Sequence, residues 1–169
     1  MKVIIYMAIS ANGMIAKSDD NTSWISKKEW YNYILITRKA GNLIVGRRTY
    51  NILTKQPEFS EFKNVKLVVV SKNNKPKIIA SNHFIVSKPK EALKLLKNFK
   101  EVIVAGGGIL NKSFIKEGLV DEIYLDIEPI MLGKGISLFR EENFETKLEL
   151  LNTKKISKNE IQLHYKIKK

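Results

Sequence analysis

Apolar positions fall in short dense blocks separated by polar turns, and the blocks follow two periods. Val3 to Ile9 is an apolar run of strand length. It is broken at Ser10-Ala11-Asn12-Gly13, whose Asn-Gly pair favours a tight turn. Met14-Ile15-Ala16 resumes apolar character before a polar loop from Lys17 to Ser23, and the Trp24-Ile25 pair closes that loop. Ser26 with Glu29 three residues later reads as a capping box, which predicts a helix from near Lys27 to Lys39, stopped by Gly41. Its apolar stripe, Trp30, Tyr33, Ile34 and Ile36, is imperfect. A short strand at Asn42 to Val45 gives way at Gly46-Arg47-Arg48-Thr49-Tyr50 to a second helix ending at Leu53 or Thr54. Pro57 to Asn64 is expected as loop and Val65 to Val70 as a buried strand, closed by the turn Ser71-Lys72-Asn73-Asn74-Lys75-Pro76.

Two weak strands, Lys77 to Ala80 and Phe84 to Val86, precede a helix predicted from Pro89 to Asn98. Val102-Ile103-Val104-Ala105 is then mostly β-branched and without polar interruption, the pattern of a strand buried on both faces. It ends in Gly106-Gly107-Gly108, and helix-like spacing (Leu110, Phe114, Ile115) follows. Val120 to Ile127 reads as a further strand and Pro129 to Gly135 as a loop. The C-terminal part reads as a hairpin of Phe144 to Leu151 with the alternating Ile161, Leu163, Tyr165 and Ile167. Strands alternating with helices imply an α/β fold, its mostly parallel sheet covered on both faces, with the hairpin adding antiparallel strands. No repeat or linker interrupts residues 1–169, which read as a single domain. Ligands in such sheets sit at the carboxyl ends of the strands, which directs attention to Gly13 to Ala16, Gly46 to Thr49, Ser71 to Asn73 and Gly106 to Gly108.

Composition narrows the partners. Hydrophobic residues make up 44% of the 169, enough for a proper core. No apolar run approaches the ~20 residues of a membrane span. The N-terminus enters a strand pattern at once rather than a signal peptide, so a cytoplasmic location without membrane contact is expected. The absence of cysteine excludes disulfides and thiol catalysis, and His83 and His164 are too widely separated to suggest a metal site. The net charge of +13 comes mostly from dispersed lysine, with arginine only at Arg38, Arg47, Arg48 and Arg140. No basic block alternates with aromatics as a nucleic-acid stacking platform requires, so nucleic acid is not the expected partner. A positive field would still draw a polyanionic small molecule toward a cleft.

Candidate chemistry gathers at the expected strand ends. A buried strand, a glycine turn and a helix start together suggest a dinucleotide pyrophosphate site at Gly106 to Gly108, although a tight turn that binds nothing has the same pattern. Arg47, Arg48 and Thr49 begin a helix, and arginine holds phosphate bidentately. With Ser71 and Lys72 at the next strand end, they suit the 2′-phosphate of NADPH better than the diol of NADH. Glu29, in a first turn beside Trp30 and Tyr33, is the carboxylate that partial burial would convert into a proton donor. Its spacing from Ser26 alone favours the plainer capping role. Asp126, inside a strand, is a second acidic candidate whose simplest placement is an outward-facing position.

These residues resemble the dihydrofolate reductase superfamily, which includes the reductase domain of riboflavin biosynthesis. The resemblance spans nearly the whole chain. It is carried by Met7-Ala8-Ile9-Ser10-Ala11-Asn12-Gly13-Met14-Ile15-Ala16, Gly46-Arg47-Arg48-Thr49-Tyr50, Ala105-Gly106-Gly107-Gly108 and Glu117-Gly118-Leu119-Val120-Asp121-Glu122-Ile123. It implies a dihydrofolate-reductase-like three-layer sandwich and hydride transfer from NADPH to a pterin-type heterocycle, first of all dihydrofolate to tetrahydrofolate. Trp24 and Glu29 would be the catalytic pair, and Met7, Ala8, Glu29, Trp30, Tyr33 and Ile52 would contact substrate. Ala8, Ile15, Gly46 to Thr49, Ser71, Lys72, Ala105 to Gly108 and Ile109 would hold cofactor. The Gly-Leu-Val-Asp-Glu-Ile segment and Leu132-Gly133-Lys134-Gly135 look more like the riboflavin-pathway reductases, which act on 5-amino-6-(5-phosphoribosylamino)uracil or its diaminopyrimidine analogue. Their aspartate-rich Gly-x-Gly-Thr…Asp-Asp-Pro segment is missing here. Ile109 and Asn111 replace an arginine and an aromatic found in many dihydrofolate reductases, and only Lys63 or Lys66 lies near the position of the arginine that receives the folate glutamate. A non-catalytic basic nucleotide-binding domain is the third reading. The expected partner is a small heterocycle, and a homodimer is compatible with the sequence.

Overall fold

The computed structural model describes residues 1–74, 77–141 and 143–168, so Lys75 and Pro76 of the expected turn lie outside the described residues. The elements run β1 (Lys2–Ser10), β2 (Met14–Ala16), α1 (Lys27–Ala40), β3 (Asn42–Gly46), α2 (Arg47–Leu53), a 3-10 helix (Pro57–Phe62), β4 (Lys66–Val70), β5 (Lys77–Ala80) and β6 (His83–Val86). There follow α3 (Pro89–Leu95), β7 (Glu101–Val104), α4 (Gly108–Lys116), β8 (Glu122–Glu128), β9 (Ile136–Ser137), β10 (Leu148–Lys155) and β11 (Ile161–Ile167).

Nine strands form one sheet in the order β10-β11-β8-β1-β7-β3-β4-β6-β5. The six inner strands from β8 to β6 pair in parallel, while β11, β10 and β5 are antiparallel additions at the two ends. Strand alternation divides the core into two layers. Val3 and Ile5 face Leu96, Leu110 and Phe114 on the α3 and α4 side. Ile4 and Tyr6 face Ile34, Leu53 and Phe62 on the side of α1 and α2. The mostly parallel sheet, its helices on both faces and the C-terminal hairpin are those the apolar pattern predicts.

The departures are local. The segment expected as loop after Pro57 is a 3-10 helix, and Phe59 and Phe62, three residues apart, turn inward together. Phe62 is fully buried against Tyr33, ring centroids 5.8 Å apart. Helix α3 stops at Leu95, three residues early, and β8 starts at Glu122 because Gly118, at φ +64°, ends the preceding turn in the left-handed region. Strand β10 starts at Leu148, and Phe144 instead packs edge-on against Phe139. Met14–Ala16 pairs with Ile136–Ser137 in a small second sheet.

Candidate active site

The carboxyl ends of β1, β3, β4 and β7 open into a cavity of about 830 Å³. One end of it is glycine-floored and cationic. The N–H of Gly46 donates to the carbonyl of Gly106 at 2.8 Å, tying the ends of β3 and β7 together. Gly106 has φ +80°, and the Gly106–Gly107 peptide is cis. A Cβ on Gly108 would stand 2.5 Å from the Ser137 carbonyl, so the close backbone there tolerates no side chain. Gly107 differs. A Cβ there would meet only Thr49 Oγ1 at 3.5 Å and Ile15 Cδ1 at 3.9 Å, ordinary contacts, and would occupy space in the cavity that Gly107 lines. The first turn of α4 begins on Gly107, and a helix start presents N–H groups without intrahelical acceptors. Arg47, Arg48 and Thr49 on the first turn of α2, Lys72 after β4, and Arg140 complete a rim suited to phosphate. Arg48 is held by an ion pair with Asp20.

The other end is aromatic and acidic. Tyr6 stacks on Tyr33 at 6.3 Å, and Trp30 lies 5.3 Å from Tyr33. Glu29 is buried and lines the cavity. Half of its capping box forms: Ser26 Oγ accepts from the Glu29 N–H at 3.1 Å. The return bond does not, because the Ser26 N–H donates to Glu128 Oε1 at 2.8 Å instead. The Glu29 carboxyl is thereby free to reach Tyr6, whose hydroxyl is 3.2 Å away. The same hydroxyl donates to Asp126 Oδ2 at 2.6 Å, and Gln162 Nε2 donates to Asp126 Oδ1 at 2.7 Å. Asp126 is therefore not outward-facing. Strand β8 lies between β1 and β11, and the start of α1 covers the face on which Asp126 stands. Burial first, then the hydrogen bond and charge of Asp126, push the Glu29 carboxyl well above the usual carboxylate range. Burial, reinforced by the two carboxylates, likewise pushes the Tyr6 phenol up. Glu29 thus holds its proton more tightly than an exposed carboxyl, beside the aromatic rings at this end of the cavity.

Most of the residues singled out in the sequence meet here. Met7, Ala8, Glu29, Trp30, Tyr33 and Ile52 line the cavity, as do Ile15, Gly46, Arg47, Arg48, Thr49, Lys72, Ala105, Gly107, Gly108 and Ile109. Three do not line it. The Trp24 indole N–H donates to the Asn21 carbonyl at 3.3 Å, within its own loop. The Ser71 hydroxyl accepts from Asn74 at 2.7 Å and its N–H donates to Val86, so its polar groups serve the turn. Gly106 faces Met7, whose Cε would be 3.1 Å from a Cβ. Asn111 is buried and donates to the Leu138 carbonyl at 3.0 Å. The sequence reading missed Tyr6, Lys27, Arg140 and Gln162. The one hydroxyl within the apolar run Val3 to Ile9 marks Tyr6, and the β11–β8 register sets Gln162 opposite Asp126. Among the described residues no cluster of His, Cys, Asp and Glu could hold a metal ion, and no helix is long and apolar enough to cross a membrane.

Comparison with known proteins gives the family and the fold. Residues 1–162 match the RibD C-terminal domain. The uncharacterized protein YwjB of Bacillus subtilis (strain 168) is 32% identical over 97% of each chain. Two solved structures share the fold. A diaminohydroxyphosphoribosylaminopyrimidine deaminase/5-amino-6-(5-phosphoribosylamino)uracil reductase from Thermotoga maritima has TM-score 0.75 and 15% identity, over 98% of this chain and 56% of that one. A dihydrofolate reductase from Enterococcus faecalis, complexed with NADP(H), has TM-score 0.75 and 18% identity, over 99% of this chain and 97% of that one.

Proposed function

Because the chain belongs to the RibD C-terminal domain family, we propose that it is an NADPH-dependent reductase acting on a phosphoribosylamino-pyrimidine such as 5-amino-6-(5-phosphoribosylamino)uracil. The observation that carries this reading is a single cleft with a glycine-floored cationic end and a buried carboxyl, Glu29, in an aromatic end. Gly107, which lines the cleft without a side chain at the start of α4, would lie against the pyrophosphate, and Arg47, Arg48, Thr49 and Lys72 would hold an additional phosphate. When bound, the reduced nicotinamide supplies hydride. Met7, Ala8, Ile15 and Ala105, which line the cleft, would exclude water from the bound ring, and Glu29 would protonate the substrate nitrogen. Lys27, two residues before Glu29, is a cation available to the ribose phosphate. Dihydrofolate is the second reading, supported by the grouping of Glu29, Trp30 and Tyr33 against one wall.

The test is side-by-side turnover of the purified protein with NADPH and each of the two substrates, followed by loss of NADPH absorbance. Oxidation with the pyrimidine, reduced about 10²–10⁴-fold in Glu29→Gln, is expected. Preference for dihydrofolate would select the second reading, and no oxidation with either would overturn both. Arg47→Ala with Arg48→Ala should weaken NADPH binding about tenfold or more while leaving NADH nearly unchanged. Equal losses would remove the 2′-phosphate from this rim.

A further inference from the structure

Four carboxyls meet where the start of α1 crosses β8 and the beginning of β11: Glu29, Asp126, Glu128 and Glu160, each no more than 8% exposed. Their surroundings separate the first two by role. The Tyr6 hydroxyl has one hydrogen and stands between them, 2.6 Å from Asp126 Oδ2 and 3.2 Å from Glu29 Oε2, so the nearer oxygen receives it. Gln162 donates to the remaining oxygen of Asp126 at 2.7 Å. Asp126 thus has a donor on each oxygen and is satisfied as an anion. Both buried carboxyls lie within hydrogen-bonding reach of the one Tyr6 hydroxyl, and two buried carboxyls so close do not both ionise.

We propose that Glu29 and Asp126 hold one proton between them. Asp126, fixed by Tyr6 and Gln162, is then the anion that positions the acidic hydrogen on the cavity-facing Glu29. Asp126, Tyr6 and Gln162 become positioning residues, a role distinct from that of Glu29, which touches the ligand. The catalytic part rests on the reductase reading above. In that reaction the Glu29 O–H bond breaks as a proton–nitrogen bond forms on the substrate. The C=N form arises when the ribosylamino ring opens, its C–O bond breaking as the amine proton passes to the ring oxygen; bound NADPH would then supply hydride to that carbon, giving CH–NH and an oxidised nicotinamide. The pair is left as a dianion, and its self-repulsion draws the next proton from solvent. Other charged and titratable groups face the pair. Glu128, two residues along β8 from Asp126 and bound to the Ser26 N–H, favours the protonated state of Glu29. Beyond Glu128 lies Glu160, to which it is hydrogen-bonded, with Lys28 on α1 as the nearby cation. Tyr33, half-buried and stacked on Tyr6, is a neutral phenol.

Full-length protein labelled with ¹³C at glutamate carboxyls separates the possibilities by NMR titration without ligand. One glutamate carboxyl should stay protonated above pH 7 and vanish in Glu29→Gln; persistence of that signal would overturn the proposal. The isosteric Asp126→Asn should lower its midpoint by more than about one unit, a tenfold loss of proton affinity. Tyr6→Phe, which takes a donor away from the Asp126 carboxylate and so leaves the pair's negative charge less stabilised, should raise it. An unchanged midpoint in either variant, or a shift of opposite sign, overturns the shared proton. In turnover, the alkaline limb of kcat should move to lower pH in Asp126→Asn with KM little altered. A fixed limb beside a shifted NMR midpoint would overturn delivery from Glu29. The expected NMR shifts without turnover on any substrate would leave the shared proton standing and remove the reductase reading instead.

Discussion

Gly107 and Gly108 are adjacent and glycine for different reasons. At Gly108 the fold leaves no room, since a Cβ would press against the Ser137 carbonyl at 2.5 Å. At Gly107 the fold would accept a methyl group, and on the proposed cofactor placement the ligand would not. Gly107→Ala should therefore leave the melting temperature nearly unchanged yet weaken NADPH about tenfold or more by calorimetry, whereas Gly108→Ala should destabilise by about 1–3 kcal/mol. The triplet is visible in the sequence, but the division of labour within it is not, because it depends on the chain near Ser137. Glu29 makes the same point. Its spacing from Ser26 is that of a capping box, and the residue that takes the returning bond, Glu128, lies 102 positions away. Asp126 looks exposable by alternation alone. Its burial follows from the neighbour strand β11 and the helix start above it.

Helix α1 carries Glu29 into the cleft, and its ends are set by local chemistry. Ser26 caps the first turn through its side-chain oxygen, and Gly41 at φ +71° accepts the left-handed exit, its N–H donating to Arg38 and Thr37 carbonyls. Ser26→Ala should cost about 1 kcal/mol in denaturant unfolding and, by loosening that turn, impair catalysis more than NADPH binding. Elements of this kind are legible in sequence because period, cap and stop agree. Strand β9 is not. Two residues have no period, and Ile136–Ser137 become a strand only because Met14–Ala16 passes alongside. The 3-10 helix after Pro57 escapes notice for a similar reason, since Phe59 and Phe62 are a sparse signal among polar neighbours.

At the scale of the whole molecule, buried acids give stability a pH dependence of definite sign. Glu29 titrates higher in the folded chain than in the unfolded one, so between those two values the folded state binds more protons. Stability from this group is complete below its ordinary value of 4.5 and is lost as pH rises toward the folded value, at up to about 1.4 kcal/mol per unit. Glu122 works in the opposite sense. Burial opposes its ionisation, but hydrogen bonds from Lys2 and His164 outweigh it and lower its titration, so its contribution is lost on acidification. Glu29→Gln should flatten the alkaline decline in melting temperature from pH 5 to pH 9; an unchanged slope would show that another group controls it.

The terminal hairpin leaves β10 at the sheet margin with all eight residues exposed, Leu148, Leu150 and Leu151 among them. Such a rim is a template on which a second chain could add. Lys147, Lys154 and Lys155 stand at its two ends, within a molecule of net charge +13. The lysine excess, which says little about the cleft, thus opposes stacking along the open margin through repulsion between molecules of like charge. That protection is electrostatic and weakens as salt shortens the Debye length.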